Sequence, residues 1–370
     1  MSDQRSRRSE ADEVTTVADL LAHDDPTSIS ESLRLTVVPL PPPTVNRKVS
    51  AAEQGFGGAL VAGVDYPIPP RPEPPPIPNG WYAAASTADL AVGDIASVIA
   101  VGRELVVYRD GDGVARVADA HCPHLGAHLG GGHIVDSTIQ CPYHGWRFGG
   151  DGQCVDIPYA NGKIPSKACL STYPVQEQDG FVFFWYHAGG KAPSYEIPRL
   201  EETDSDGWSK PYPWKFELVA ALQEMAENNV DYAHLRYVHQ RPYVPNDTST
   251  FVPEGPFSTV IERLPDGEEF FRHTWGPGIA VLRIRNLMTV FTTTTPIDRR
   301  HCRLHWHFIF KGDIEKMAAE LIQGVTGSYG LEADVPIWRD KAFLDRPLLI
   351  KGDGNIAEFR RWYAQFYEDA

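Results

Sequence analysis

Cys122-Pro-His124 and, sixteen residues further on, Cys141-Pro-Tyr-His144 are the stretch from which the rest of the chain is read. Each half-site offers one thiolate and one imidazole. Two sulfurs and two ring nitrogens from two short loops make the ligand set of a [2Fe–2S] centre in which two histidines replace two cysteines on one iron. That replacement raises the reduction potential above that of an all-cysteine ferredoxin. A tetrahedral zinc site uses the same four donors. Zinc fingers, however, usually group their cysteines in one half-site and their histidines in the other, and here each half-site mixes them. The flanks favour the cluster: Leu125-Gly126 and Gly145-Trp-Arg-Phe-Gly149 are turn-forming, and tight turns bring backbone N–H groups up to sulfur, where they tune the centre.

A cluster alone moves electrons. A second constellation, Glu227-Asn-Asn-Val-Asp231-Tyr-Ala-His234-Leu-Arg-Tyr-Val-His239, adds oxygen chemistry. Two histidines and a distant carboxylate form the facial triad of a non-haem Fe(II) oxygenase, which leaves coordination positions open for O2 and substrate. Asp231 and His234, at i and i+3, share a helix face. His234 and His239, at i and i+5, stand about 140° apart on an ideal helix. They reach one metal only if the helix bends, bulges or ends between them. Either histidine alone reads as a satisfied polar residue; the pair downstream of the cluster motif reads as a metal site.

Together the two motifs resemble the oxygenase (α) component of the Rieske non-haem iron oxygenases, from about Pro78 to the C-terminus. CPHLGAHLG (122–130), CPYHGWRFGGDGQC (141–154), IPYA (157–160) and ENNVDYAHLRYVH (227–239) are most similar to the steroid-acting branch of cholesterol 7-desaturases and 3-ketosteroid 9α-hydroxylases. The resemblance implies that Cys122, His124, Cys141 and His144 hold the [2Fe–2S] cluster. It implies that His234 and His239 hold a mononuclear Fe(II). Among the carboxylates Glu332, Asp334 and Asp340, it favours Asp334 as third ligand, with Trp338 on the same helix face at i+4. Asp231 is then expected to bridge the cluster histidine His144 and the iron histidine His234. Asn228 is expected beside the iron as a helper. The family also implies electrons drawn from NAD(P)H through a separate reductase or ferredoxin, O2 and a steroid-like apolar substrate as partners, and a homotrimer. Hydroxylation and desaturation both begin with hydrogen abstraction, and nothing in the residues chooses between them. An aromatic-ring hydroxylating dioxygenase of the same cofactor class, and a Rieske electron carrier, are the alternatives. The carrier leaves residues 200–370 without a purpose.

The expected fold class is α+β. A small antiparallel β Rieske domain (79–190) precedes a helix-grip catalytic domain (191–370), an antiparallel sheet flanked by helices. Residues 1–78 read as a flexible arm: residues 1–48 are polar and contain Pro39-Leu-Pro-Pro-Pro43, and Pro67–Pro78 reads as a polyproline II linker. Strands are expected at 96–108, 114–120, 138–141 and 181–187, the last apolar on both faces and so central. Long strand runs are expected at 258–275, 279–297 and 301–312, then helical periodicity from Glu315 to about Phe343. Phe270, Phe271, Trp275, Leu287 and Met288 are candidates for cavity lining or core. His305 and His307 project to one strand face, as core or as a second metal pair.

With 42% hydrophobic residues the 370-residue chain has an ordinary globular balance. Its net charge of −15 argues against nucleic acid. Arg116, Arg147, Lys163 and Lys167 near the cluster motif form either a local basic patch for the electron donor or scattered solvated charges. No run is long and apolar enough to cross a membrane. The N-terminus lacks the apolar segment of a signal peptide. Cys154, Cys169 and Cys302 read as free thiols of a reducing compartment, so the cytoplasm is the expected location.

Overall fold

The computed structural model describes residues 72–264 and 267–367. The N-terminal arm, the Pro39–Pro43 run and the first part of the proline-rich segment lie outside these residues. The end of that segment is anchored to the rest of the chain: Ile77 and Pro78 are buried, the Tyr82 hydroxyl donates to the Pro78 carbonyl (2.7 Å), and Arg299 donates to the carbonyls of Pro74 and Pro75.

Among the described residues, four antiparallel sheets account for the strands. β1 (Gly80–Ser86), β11 (Phe181–Tyr186) and β10 (Val175–Gln178) form a three-stranded sheet with β11 central. That is the position expected for a strand whose Phe181 to Phe184 are fully buried on both faces. β2 (Ile95–Ala100), β3 (Arg103–Arg109), β4 (Ala115–Asp119) and β9 (Thr172–Tyr173) form a second sheet. The third sheet joins β5 (His133–Val135), β6 (Thr138–Gln140), β7 (Arg147–Phe148) and β8 (Cys154–Asp156), and it carries the loops with the two Cys/His half-sites.

The seven-stranded sheet has the order β12-β18-β17-β16-β15-β14-β13. Its strands are β12 (Tyr212–Val219), β13 (Ser249–Glu254), β14 (Phe257–Arg263), β15 (Glu269–Trp275), β16 (Ile279–Ile284), β17 (Met288–Pro296) and β18 (His301–Phe310). The expected single runs at 258–275 and 279–297 are each a pair of strands. Gly267 and the adjacent Arg285 and Asn286 adopt positive φ at the two reversals, and periodicity alone does not register a turn inside a continuous apolar pattern. β12 falls outside the runs expected as strands, and pairs in register with β18 from Tyr212↔Phe308 to Val219↔His301.

Alternation gives this sheet two different faces. On one, Trp275, Ile279, Val281, Phe291 and Ile309 close a core with Trp81, Phe181, Phe183 and Trp185 of the three-stranded sheet. On the other, Val260 and Phe251 pack with Val230 and Tyr232, and with Phe359 and Trp362 of α5 (Ile356–Tyr363). α1 (Leu222–Glu227) and α2 (Tyr232–Tyr237) reach this second face through Ala226 and Tyr232, and α3 (Ala318–Thr326) and α4 (Leu331–Asp340) follow β18 in the chain. The expected helical stretch 315–343 is therefore two helices, broken at Gly327-Ser-Tyr-Gly330 where a Cβ on either glycine would overlap the end of α3. The α+β class, with a sheet gripped by helices, is as expected.

Candidate metal centres

The two half-site loops repeat one geometry. In the first, the Cys122 amide donates to Ala127 O and the Gly126 amide to Cys122 O (both 2.9 Å). In the second, the Cys141 amide donates to Trp146 O (2.8 Å) and the Gly145 amide to Cys141 O (3.1 Å). Gly126 and Gly145 both take positive φ, 73° and 74°, which favours glycine at the fourth position after each cysteine. The turns bring the sulfurs together in the Rieske-side core: both cysteines are buried, and burial, with the Cys141 thiol in hydrogen-bond range, pushes the Cys122 thiol up to about 11.

The imidazoles converge as well. The His124 and His144 rings lie 4.7 Å apart by centroid, and the Trp146 indole stacks on His124 at 4.5 Å and 8°. His124 Nδ1 is buried without a hydrogen-bond partner. A buried ring nitrogen lacking an acceptor or donor costs free energy, and an iron ion would satisfy it. The donor set thus fits a two-iron cluster. Arg116 and Arg147 of the anticipated basic patch are compensated by Asp110 and Asp136.

The second centre forms where α1, α2 and α4 meet. Asp231 is not on the helix with His234, as its i, i+3 spacing predicts, but is the N-cap of α2. Its carboxylate accepts the His234 amide (3.2 Å), which satisfies one of the free N–H groups of a helix start. α2 ends at Tyr237, and Gln240 takes positive φ. His239 is therefore free of helical geometry and swings back, its ring 4.9 Å from that of His234. The helix ends between the two histidines, one of the three conditions their spacing imposes.

Asp334 completes the group. It is 6% exposed on α4, as is Trp338, whereas Glu332 and Asp340 face outward. His239 Nε2 lies 3.3 Å from Asp334 Oδ2, and donor atoms of His234, His239 and Asp334 all lie within 4.8 Å of one another. Two buried-side imidazoles and one carboxylate fit a divalent metal with open positions. The orientation of His239 is set from outside the group. Its Nδ1–H donates to the Tyr329 carbonyl (3.0 Å), in the turn between α3 and α4, which leaves the Nε2 lone pair facing Asp334. No motif in the chain pointed to Tyr329, because a backbone carbonyl has no residue-type signature; the flanking Gly327 and Gly330 were the available sign of a constrained turn.

Asp231 relates to His234 through two atoms. His234 Nδ1 contacts the Asp231 backbone carbonyl, and the carboxylate stands 3.8 Å away. Burial pushes this carboxyl up, but the hydrogen bonds and charge of His234 more than offset it, and the group is held below the usual aspartate range. Asn228 caps the end of α1, between the two helices that build the centre.

The helix-covered face of the large sheet is not fully closed. On β16 the half-buried Ala280 and Leu282 belong to the helix-covered face, while Val281 on the opposite face is fully buried. Phe270 and Met288 share this open face. Phe271 and Trp275 point the other way, Phe271 stacking on His273 and Trp275 packing on Phe291. Adjacent strand residues cannot line one cavity. His305 and His307 also belong to the opposite face, against Phe181 at 4.8 and 4.2 Å. They pack as core against Phe181, and among the described residues no group of three or more donor side chains within 4.8 Å of one another includes them.

Comparison with known proteins agrees with this architecture. Residues 80–174 match the Rieske [2Fe-2S] domain, and residues 184–367 match the family described as 3-ketosteroid 9alpha-hydroxylase C-terminal domain. The chain is 31% identical to cholesterol 7-desaturase of Caenorhabditis elegans, over 80% of this chain and 78% of that protein. It is 30% identical to the oxygenase component of 3-ketosteroid-9-alpha-monooxygenase of Rhodococcus rhodochrous, over 79% and 83%. The crystal structure of apo dicamba monooxygenase shares the fold at TM-score 0.63 and 17% identity, over 79% of this chain and 97% of that one. The Pseudomonas putida NdmA structure with caffeine shares it at 0.66 and 18%, over 78% and 90%. A Rieske domain joined to a helix-gripped sheet, with relatives of this identity and coverage, makes the chain an oxidoreductase of the Rieske oxygenases, in the family of the cholesterol 7-desaturases and 3-ketosteroid 9α-monooxygenase oxygenase components.

Proposed function

We propose that the chain hydroxylates or desaturates a steroid-like polycyclic substrate with O2, as the oxygenase component served by a separate reductase that draws on NAD(P)H. The observation that carries this reading is the convergence of His234, His239 and Asp334 on one point. In this assignment Cys122 and Cys141 bind one iron of the cluster, His124 and His144 the other, and the triad binds a single ferrous ion. When bound, the cluster stores and passes single electrons and the ferrous ion activates O2. The chain's own residues do the rest. The Tyr329 carbonyl holds His239 in the metal-binding tautomer, and Trp146 covers one face of His124.

We assign Asp231 the link between the two centres, accepting N–H groups from His234 and from His144 of a neighbouring copy in a ring of three. Its support is the 3.8 Å approach of the carboxylate to His234 Nδ1 on a side chain that remains 33% exposed, open to a second partner. Asn228 is assigned a supporting position near the iron. The division into residues 79–190 and 191–370, with 1–78 as an appended arm, follows the same reading. So does a cytoplasmic setting, which suits the three thiols outside the cluster, Cys154, Cys169 and Cys302, none of them in a disulfide. The steroid class rests on the names of the relatives, and the half-buried apolar Leu282 and Ala280 supply a surface of matching character.

The test is metal analysis followed by product analysis. Matured protein should hold iron beyond that of its cluster, and His234→Ala should remove the excess while the cluster's visible absorbance persists. With a reductase, sterols and 3-ketosteroids should yield products one oxygen heavier or two hydrogens lighter by mass. A fully loaded protein with cluster iron alone ends the oxygenase reading.

A further inference from the structure

Residues 341–355 join α4 to α5, and both ends of this segment are fastened around Asp231. At the first end the Leu344 carbonyl accepts Arg360 Nη1 (2.6 Å). The same guanidinium grips Glu227 at 2.7 and 3.0 Å, and the Glu227 carbonyl accepts the Asp231 amide (3.1 Å). At the other end Asn355 Oδ1 accepts the Tyr232 hydroxyl (3.0 Å). Gly354 lies so close to Val230 that a Cβ there would stand 2.5 Å from its carbonyl oxygen. Val230 and Tyr232 are the chain neighbours of Asp231. The segment is thus tied down at both ends, yet it turns apolar side chains outward: Leu344, Leu348 and Ile350 are 55%, 94% and 72% exposed. Exposed apolar groups gathered on an anchored segment mark a surface that another body covers.

The cluster half-sites carry the counterpart. Leu125 follows His124 and Tyr143 precedes His144; they are 64% and 63% exposed, and the Tyr143 ring lies 3.8 Å from that of His144 by centroid. We propose that Leu344, Leu348 and Ile350 of one copy seat Leu125 and Tyr143 of the next, and that this apolar contact supplies the affinity that holds the ring together. The proposal rests on the link assigned to Asp231: a His144 that reaches Asp231 brings its apolar neighbours to the segment fastened beside that residue. Charge points the same way. Each chain carries −15, so copies repel at long range, and a single carboxylate–imidazole contact contributes little against that repulsion. Burial of five apolar side chains is what offsets it. The two surfaces differ, so the copies join head to tail and the contact closes a ring.

Sedimentation of the cluster-loaded protein tests this without turnover. Leu348→Asp/Ile350→Asp, the seat variant, changes only exposed side chains; it should keep its melting curve and cluster absorbance and dissociate with a Kd raised about a hundredfold or more. Leu125→Asp on the cluster side should do the same, with Tyr143→Asp in its place if cluster absorbance is lost. Each contact uses the cluster side of one copy and the seat of the next, so a mixture of the two variants retains one good pairing. At the highest concentration where each variant alone is a monomer, the mixture should form a dimer and no trimer. A seat variant that remains a trimer with unchanged Kd overturns the proposal, as does a mixture of monomeric variants that stays monomeric. A monomeric unsubstituted protein overturns it together with the Asp231 link, while the oxygenase reading is decided separately by iron content and product mass.

Discussion

In the assigned triad, His239 would owe its chemistry to a neighbour outside the metal's ligand set. With Nδ1–H engaged by the Tyr329 carbonyl, only Nε2 is free to ligate. His305 and His307 are the opposite case, imidazoles whose surroundings deny them charge. Burial against Phe181 lowers both to about 4, against about 6.5 in an unfolded chain. Between these values the unfolded state binds more protons, so stability is complete above pH 6.5 and is lost as the pH falls toward 4. Each ring contributes on the order of 2 to 3 kcal/mol to that loss. Denaturant midpoints measured from pH 7 to pH 4.5 should fall steeply, and the slope should be about halved in His307→Phe, which keeps the stack on Phe181 and removes one titrating group. An unchanged slope would remove these histidines from the acid response.

At the scale of elements, the turn between α3 and α4 connects packing to metal binding. A Cβ on Gly330 would stand 2.0 Å from the Val325 carbonyl oxygen and one on Gly327 2.6 Å from the Gln323 carbonyl oxygen. The backbone must shift to admit either. Tyr329 lies between them, so the shift moves the acceptor of His239. Gly330→Ala is expected to cost about 1 to 3 kcal/mol of stability and to weaken mononuclear iron binding by about tenfold or more. Iron retention after dialysis against a weak chelator, with cluster absorbance as internal reference, reads the effect. α1 is tied from the other side: Arg360 of α5 grips Glu227 through two hydrogen bonds of 2.7 and 3.0 Å, and Gln223 donates to the same carboxylate. The segment that carries Asp231 and His234 is thereby fastened to the C-terminal helix.

For the whole molecule, the three-stranded sheet joins the cluster-bearing part to the back of the catalytic sheet through Phe181, Trp185 and Phe291. The parts that carry the two centres thus share a hydrophobic core, and the electron path assigned to Asp231 runs between copies. That assignment predicts a trimer by sedimentation. It also predicts that Asp231→Ala keeps both metals, loses about 1 kcal/mol with its helix cap, and turns over at a small fraction of the normal rate. Near-normal turnover, or a monomer at full activity, would sink the link.

The chain's own order of residues determined its chemistry and class. Cys122, His124, Cys141 and His144 carry donor types that few other sites combine, and β11 announces its central place by being apolar on both faces. Such signals are local, set by residue type and period. The triad was legible in part: the spacing of His234 and His239 demanded a broken helix, while Asp334 lies far off in sequence and stood out only through a family resemblance. What tertiary structure alone decided was non-local. Asp231 became a cap because α1 and α2 are separate helices, β12 became an edge strand because β18 was there to pair with it, and Phe271 and Trp275 turned away from the cavity because the register of β15 assigned them to the other face. The setting of Leu344 beside Asp231 depends on Arg360 gripping both the Leu344 carbonyl and Glu227, contacts that exist only after distant segments meet.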